Sequence, residues 1–142
     1  MTVTTNRVQA FLTDTLPSLP GFQRNAVQVA YAGSLTQSLS SPGQLHFIEG
    51  DTGIGKSLAY SLALADWVAR GKSLGRRAII STHSRALQRQ LATPEHQGLV
   101  QSYLVSEGLP PLSYGVRMGR SNYVSQHRQA LALGAADLDD VV

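Results

Sequence analysis

The spacing of apolar residues changes along the chain, and these changes predict where helices and strands lie. Apolar positions recur every three or four residues over 6–16, 22–37, 56–70 and 86–93, which is typical of amphipathic helices. Asn6, or Thr4 before it, is a suitable cap for the first of them. Short apolar runs at 45–49 and 77–81 have the length of buried strands. Proline or glycine residues follow the helices and should end them.

The later part of the chain continues the alternation of the two kinds of element. Residues 99–107 and 124–133 have helical spacing, and residues 113–118 could form a third strand. Strands that alternate with helices in this way predict the α/β fold class, with a parallel sheet and crossover helices. We therefore expect an N-terminal helix and linker over 1–21, the sheet-containing part over 22–134, and an acidic tail over 135–142.

Composition places the chain among globular proteins. Its 142 residues are 42% hydrophobic and 15% charged, enough for one domain with an ordinary core. The N-terminus lacks a basic segment followed by an apolar run, and the apolar stretch 58–69 is interrupted by Asp66 and is too short to span a bilayer. We expect a soluble, cytoplasmic protein with no membrane partner. The chain has no cysteine, so it can form neither a disulfide nor a cysteine-ligated iron–sulfur cluster.

The charged residues are unevenly distributed. All twelve basic residues but only six of the nine acidic ones precede residue 135, so residues 1–134 carry a net charge of +6. Ten of the twelve basic residues are arginine, whose planar group suits forked contacts with phosphates. The charge is therefore compatible with a nucleic-acid partner. Arginine on solvated surfaces is the alternative explanation.

A phosphate-binding motif lies between the first predicted strand and the helix after it. Residues 50–57, Gly-Asp-Thr-Gly-Ile-Gly-Lys-Ser, fit G-x-x-x-x-G-K-[ST], in which glycines allow backbone N–H groups to surround a phosphate. Lys56 should reach the terminal phosphates and the Ser57 hydroxyl should ligate Mg²⁺, which makes them the candidate catalytic residues. The predicted nucleotide contacts are Asp51, Thr52, Gly53, Ile54, Gly55, Lys56 and Ser57. A glycine-rich turn without a ligand is the alternative.

A carboxylate inside this loop is unusual for a phosphate site. The side chain of Asp51 would repel phosphate unless it points outward. A phosphate loop also indicates only nucleotide binding, because kinases, GTPases and motor proteins share it. The function therefore depends on other segments of the chain.

Three further segments resemble motifs of one helicase family. Residues 78–91, Ala-Ile-Ile-Ser-Thr-His-Ser-Arg-Ala-Leu-Gln-Arg-Gln-Leu, resemble the DNA-contacting motif of superfamily 2 helicases, and of their DinG/XPD branch in particular. Residues 20–24, Pro-Gly-Phe-Gln-Arg, and 119–123, Gly-Arg-Ser-Asn-Tyr, are similar to two other segments of that branch. The resemblance implies an ATP-dependent DNA helicase that moves 5′ to 3′. It also implies a RecA-like core, of which this chain is the N-terminal part of motor domain 1, and Gln23 as the residue that reads adenine.

Several polar residues are candidates for contacts with single-stranded or unwinding DNA. Hydroxyl groups, backbone N–H groups and arginines at a helix start can bind phosphates, and an exposed tyrosine can stack on a base. The candidates are Ser81, Thr82, His83, Arg85, Arg89, Arg120, Asn122 and Tyr123. A capped, solvated helix, a structural histidine and a tyrosine in the core remain the alternatives for this set.

The chain departs from the family where the first cluster cysteine is usually found. Val124 and Ser125 follow the tyrosine of the third segment, so we expect no iron–sulfur cluster. In this respect the chain resembles the cysteine-poor DinG-like helicases that are associated with type IV CRISPR systems. That resemblance implies a CRISPR RNA-guided complex as a partner.

Hydrolysis of ATP needs groups that we do not find in these residues. An acidic pair at the end of an apolar strand and a stabilising arginine are normally required, and Asp139 and Asp140 follow no such strand. In the family these groups lie further along the protein, so we expect residues 1–142 to bind ATP-Mg without hydrolysing it. Another phosphate-loop ATPase or kinase, or a non-catalytic nucleic-acid-binding module, are the alternative functions.

Overall fold

The computed structural model describes residues 6–119 and, beyond them, residues 122, 123, 125, 128 and 129. Its α-helices are α1 (Arg7–Ala10), α2 (Ala26–Leu39), α3 (Lys56–Arg70), α4 (Arg85–Leu91) and α5 (Pro94–Ser106). Helix α1 continues into a π-helical turn and then a 3₁₀ turn, and a second 3₁₀ turn, Lys72–Leu74, follows α3. Most of the predicted helix at 124–133, and the whole acidic tail, lie outside the described residues.

Helix α3 is the central element of the core. It begins after Gly55 and ends at Gly71, the bounds that its sequence predicts. The predicted apolar positions Leu58, Leu62 and Ala65 are buried, and α1, α2 and α5 pack against α3. Burial of each leucine side chain contributes about 1.5–3 kcal/mol to the free energy of unfolding. The other core residues are Val8, Phe11, Leu12, Leu16, Ala32, Ala59, Ala69, Val100, Tyr103 and Leu104.

Side-chain caps define the beginnings of the helices that surround α3, as α1 and α5 illustrate. Asn6 accepts a hydrogen bond from the backbone N–H of Gln9, and the Gln9 side chain accepts one from the N–H of Asn6, so the predicted cap is confirmed. Helix α5 begins earlier than predicted. Thr93 caps it and Pro94 occupies its first turn, where proline is well tolerated because its missing N–H has no intrahelical partner. The proline that was expected only to end one helix also begins the next.

The predicted parallel sheet, and with it the α/β fold with a RecA-like core, is wrong for this structure, because the regular elements among the described residues are all helical and none is a β-strand. A strand forms only when its N–H and C=O groups pair with those of a neighbour. No backbone hydrogen bond joins the segments 45–49, 77–81 and 113–118 to one another. Their side chains are also not buried as predicted: Leu45, Phe47 and Ile79 are 81%, 91% and 93% exposed.

The buried face of α2 differs by about one position from the predicted one. Val27 and Ala30, two of the apolar positions that recur at helical spacing over 22–37, are exposed, and Gln28 and Ala32 are buried instead. A polar residue tolerates burial when its amide has a hydrogen-bond partner. Gln28 has one in the carbonyl oxygen of Gly55, which a hydropathy pattern cannot show.

The side chain of Arg76 packs against the C-terminal end of α3. The guanidinium carbon of Arg76 lies 4.6 Å from the ring centroid of Trp67, and its Nη1 donates a hydrogen bond of 3.2 Å to the Trp67 carbonyl oxygen. A Cβ atom on Gly71 would collide with the Arg76 side chain, so only glycine leaves room for this packing. None of the helices in the described part of the chain has both the length and the apolar character needed to cross a bilayer.

Candidate nucleotide-binding site

The glycine-rich loop before α3 has the backbone geometry of a tight turn into a helix. Gly53 and Gly55 both have φ of 83°, in the left-handed region that residues with a Cβ rarely adopt. Gly55 is the N-cap of α3 and offers no side chain to cap it. The first N–H groups of α3 therefore have no side-chain cap, and the positive end of the helix dipole faces outward.

Lys56 folds back over this loop. Its ammonium group donates hydrogen bonds to the carbonyl oxygens of Gly50, at 2.8 Å, and Asp51. It forms no ion pair within the described residues, and no acidic residue lies in the first turn of α3. The side chain of Asp51 is exposed, as a phosphate site requires. The positive charge of Lys56 therefore adds to that of the helix N-terminus, and together they favour an anion.

A cleft of about 430 Å³ lies beside the loop. Gln23, the predicted adenine reader, lines it together with Gly53, Ile54, Gly55 and Ser57. The structure thus brings Gln23 next to four of the seven predicted nucleotide contacts. Asp51, Thr52 and Lys56 do not line the cleft, although Lys56 is attached to the loop by its hydrogen bonds.

The opposite wall of the cleft consists of residues that the sequence did not single out. It is formed by the end of α4 and the first turns of α5, through Gln90, Thr93, Glu95 and His96. His96 is buried, and one of its ring nitrogens, Nε2, lies 2.9 Å from the Ser61 hydroxyl on α3. Burial lowers the pKa of His96, so this histidine stays neutral near pH 7.

Gln28 is the other residue that sequence reasoning missed. It is only 7% exposed, lines the cleft and donates a hydrogen bond of 3.0 Å from Nε2 to the Gly55 carbonyl oxygen. A glutamine among the apolar positions of a predicted helix was the only available signal. That signal is weak because most helical glutamines lie on the surface.

The predicted DNA-contacting residues near α4 lie on the surface. Arg85 and Arg89 are exposed, and neither forms an ion pair with any described residue. Ser81 and His83 are exposed as well, which argues against a buried structural role for His83. The Thr82 hydroxyl accepts a hydrogen bond from the Ser84 N–H, so Thr82 also helps to shape the turn before α4.

Asn122 and Tyr123 make their hydrogen bonds within the segment 118–123. No hydrogen bond or ion pair of the described residues joins either of them to the segment 81–89. Tyr123 is 57% exposed, and its hydroxyl accepts a hydrogen bond from the Met118 N–H, so its ring is available rather than part of the core. Arg120, the remaining candidate, lies outside the described residues.

No family model matches the chain, and no curated protein or solved structure is significantly similar to it. The resemblance to the DinG/XPD branch therefore rests on the sequence motifs alone. What the site can do has to be argued from its own geometry and charge.

Proposed function

We propose that this chain is the ATP-binding part of a DNA helicase of the DinG type. The observation that carries the proposal is the loop at residues 50–57, which lies beside a cleft that Gln23 also lines. The loop combines two glycines with positive φ, a helix start without a side-chain cap and a lysine that forms no ion pair with any described residue. Such an arrangement supports the binding of a phosphate chain through backbone N–H groups. The cleft extends away from the loop and is of a size that accommodates a small ligand.

Each predicted contact has a physical role in this proposal. Lys56 would exchange its two carbonyl partners for phosphate oxygens, which carry full negative charge and form stronger hydrogen bonds. The Ser57 hydroxyl would be a protein ligand of Mg²⁺, and the ion would neutralise charge on the phosphates. Gln23, which lines the same cleft as the loop, would read the base.

The proposed nucleic-acid partner is single-stranded or unwinding DNA. Support comes from the net charge of +6 over residues 1–134 and from Arg85 and Arg89, which are exposed and form no ion pair with any described residue. Both arginines lie on one face of α4, because residues four apart are neighbours on a helix. By resemblance, the helicase would work with a CRISPR RNA-guided complex and would lack an iron–sulfur cluster. Residues 1–142 by themselves should bind ATP-Mg without hydrolysing it.

Calorimetric titration with ATP and Mg²⁺ tests the nucleotide part. Lys56→Ala should weaken binding about 10- to 100-fold, the effect of losing a hydrogen bond with a charged group. Lys72→Ala is the matched control, since it removes the same charge from the 3₁₀ turn at the far end of α3. Equal affinities of the wild type and Lys56→Ala would contradict the proposal.

A second titration separates the alternative functions. A helicase part should bind ATP-Mg and, through a different surface, a single-stranded oligonucleotide. Binding of ATP-Mg without DNA would favour another phosphate-loop ATPase or a kinase. If the chain binds DNA but no nucleotide, and Lys56→Ala leaves the DNA affinity unchanged, the non-catalytic binding module is favoured.

A further inference from the structure

Helix α2 contacts the phosphate loop with two side chains that are three residues apart. Gln28 Nε2 donates a hydrogen bond of 3.0 Å to the Gly55 carbonyl oxygen, which also accepts one of 3.2 Å from the N–H of Ala59. The ring of Tyr31 lies so close to Gly50 that a Cβ atom on this glycine would be 3.0 Å from a ring carbon. One face of α2 thus contacts both the first and the last glycine of the loop.

The hydrogen bond from Gln28 fixes the orientation of the peptide unit between Gly55 and Lys56, and this orientation matters for phosphate binding. In a trans peptide unit the C=O and N–H groups point in opposite directions. When the Gly55 carbonyl is held by two donors, the N–H of Lys56 in the same peptide unit must point the other way. That N–H is among the unpaired donors at the start of α3, which are the groups that bind an anion.

The contact with Tyr31 acts at the other end of the loop. Gly50 has no positive φ, so backbone conformation does not require glycine there. Close approach requires it instead, because a Cβ atom would meet the Tyr31 ring and the side chain of Ile54, at 2.9 Å. The ring therefore limits how far the loop can move toward α2, in the same way that Gln28 fixes its helical end.

We propose that Gln28 and Tyr31 are positioning residues that hold the phosphate loop in its binding conformation before the nucleotide arrives. The inference rests on the proposed nucleotide-binding function and assigns to α2 a role that the loop motif does not include. A loop that is already ordered loses less conformational entropy on binding, so its affinity is higher. Removing a positioning contact should therefore weaken nucleotide binding even though neither side chain needs to touch the phosphates.

The test compares two glutamines that make the same kind of hydrogen bond. Gln28→Met removes the donor to Gly55 at nearly constant volume. Gln9→Met is the control, because it removes the hydrogen bond of 3.1 Å from Gln9 Nε2 to the Val29 carbonyl oxygen and the capping contact with Asn6, neither of which involves the loop. With ATP and Mg²⁺, the affinity of Gln28→Met should fall about fivefold, as expected for one neutral hydrogen bond. The affinity of Gln9→Met should remain that of the wild type.

Tyr31 supplies a second pair of variants if Gln28→Met does not fold. Tyr31→Phe keeps the ring and should bind like the wild type, whereas Tyr31→Ala should bind about as weakly as Gln28→Met. Circular dichroism identifies the temperature range in which all variants are folded. Equal loss of affinity in the Gln28 and Gln9 variants would overturn the proposal. Wild-type affinity in both Gln28→Met and Tyr31→Ala would overturn it as well.

Amide hydrogen exchange of the nucleotide-free protein tests the same idea without a ligand. The N–H of Ala59, which donates to the Gly55 carbonyl oxygen, should exchange faster in Gln28→Met and Tyr31→Ala than in the wild type and in Gln9→Met. If the wild type binds no nucleotide, the proposed function fails, but faster exchange in the α2 variants would still support the positioning role. Unchanged exchange in these variants would refute that role whatever the wild type binds.

Discussion

The hydroxyl group of Tyr103 on α5 donates a hydrogen bond of 2.6 Å to Oδ1 of Asp66 on α3. Arg70 donates to the same oxygen at 2.9 Å and reaches Glu107 at 3.1 Å, and Glu107 in turn pairs with Arg7 at 3.3 Å. A polar network therefore connects α1, α3 and α5 beside the apolar core. The ring of Tyr103 also packs edge-on against Phe11, with 5.3 Å between the centroids, so one residue joins the polar and apolar contacts.

Tyr103→Phe should lower the free energy of unfolding by about 1.5–3 kcal/mol, because it removes a hydrogen bond to a partly buried carboxylate and keeps the ring. Urea unfolding monitored by circular dichroism measures the change. Tyr114→Phe is the control, since Tyr114 is exposed, and it should change stability by less than about 0.5 kcal/mol. Equal effects of the two substitutions would show that the hydroxyl of Tyr103 adds nothing.

The same network predicts a loss of stability at alkaline pH. Burial, together with the hydrogen bond to Asp66, raises the pKa of Tyr103 above its usual value near 10. Below about pH 10 the phenol is neutral in both states, and its contribution is complete. Above that pH the unfolded chain loses the proton first, so the free energy of unfolding should fall. Tyr103→Phe should show a smaller decrease than the wild type between about pH 10 and 12.

His96 predicts a second pH dependence, in the acid range. Because burial lowers the pKa of His96, the imidazole is neutral in both states above about pH 6.5. As the pH falls below that value, the unfolded chain takes up a proton more readily than the folded one, and the free energy of unfolding decreases. His96→Gln should reduce this decrease, whereas His46→Gln, at an exposed position, should leave it unchanged. The opposite pattern would mean that another group titrates.

The salt dependence of DNA binding tests the surface on α4. Each phosphate contact that is lost should reduce the slope of log affinity against log salt by roughly 0.7 on single-stranded DNA, because fewer counterions are released. Arg89→Ala should reduce it by this amount with little change in sequence preference. Lys72→Ala is the control, because it removes one positive charge from the 3₁₀ turn that follows α3 and leaves α4 unchanged. Identical slopes for the wild type and Arg89→Ala would mean that Arg89 contacts no DNA phosphate and that these arginines only face solvent.

The absence of cysteine from the sequence makes a spectroscopic prediction. Iron–sulfur clusters are held by thiolate ligands, so purified residues 1–142 should show no absorbance band near ~400 nm and contain no stoichiometric iron. Iron at one or more equivalents, measured by plasma emission after gel filtration, would contradict this expectation. Addition of iron and sulfide under reducing conditions should leave the spectrum unchanged.

Local signals in the sequence predicted α3 well because several of them agree. Helical spacing, Gly55 before the helix and Gly71 after it all indicate the same bounds, and the structure has those bounds. The start of α5 was missed because Pro94 can end one helix or begin another. The choice depends on the cap at Thr93, which a spacing pattern does not weigh.

Signals that depend on distant partners were less informative. The apolar runs around Phe47 and Ile79 have the composition of strands, but pairing requires a neighbour, and the described residues provide none. The loop glycines and Lys56 could be found from their motif, whereas Gln28 could not, because its role depends on a carbonyl 27 residues away in sequence. Contacts between residues that are far apart in the sequence leave no local pattern in it.

Trp67 is the only tryptophan of the chain, and its ring is covered by the Arg76 guanidinium at the end of α3 opposite the phosphate loop. Its fluorescence therefore comes from one position, in the helix on which the core is assembled. Separation of Arg76 from the ring would change the polarity around the indole and hence its emission wavelength. Trp67 fluorescence can therefore follow the unfolding of the C-terminal end of α3. A nucleotide bound at the other end of the helix would not interfere with the signal.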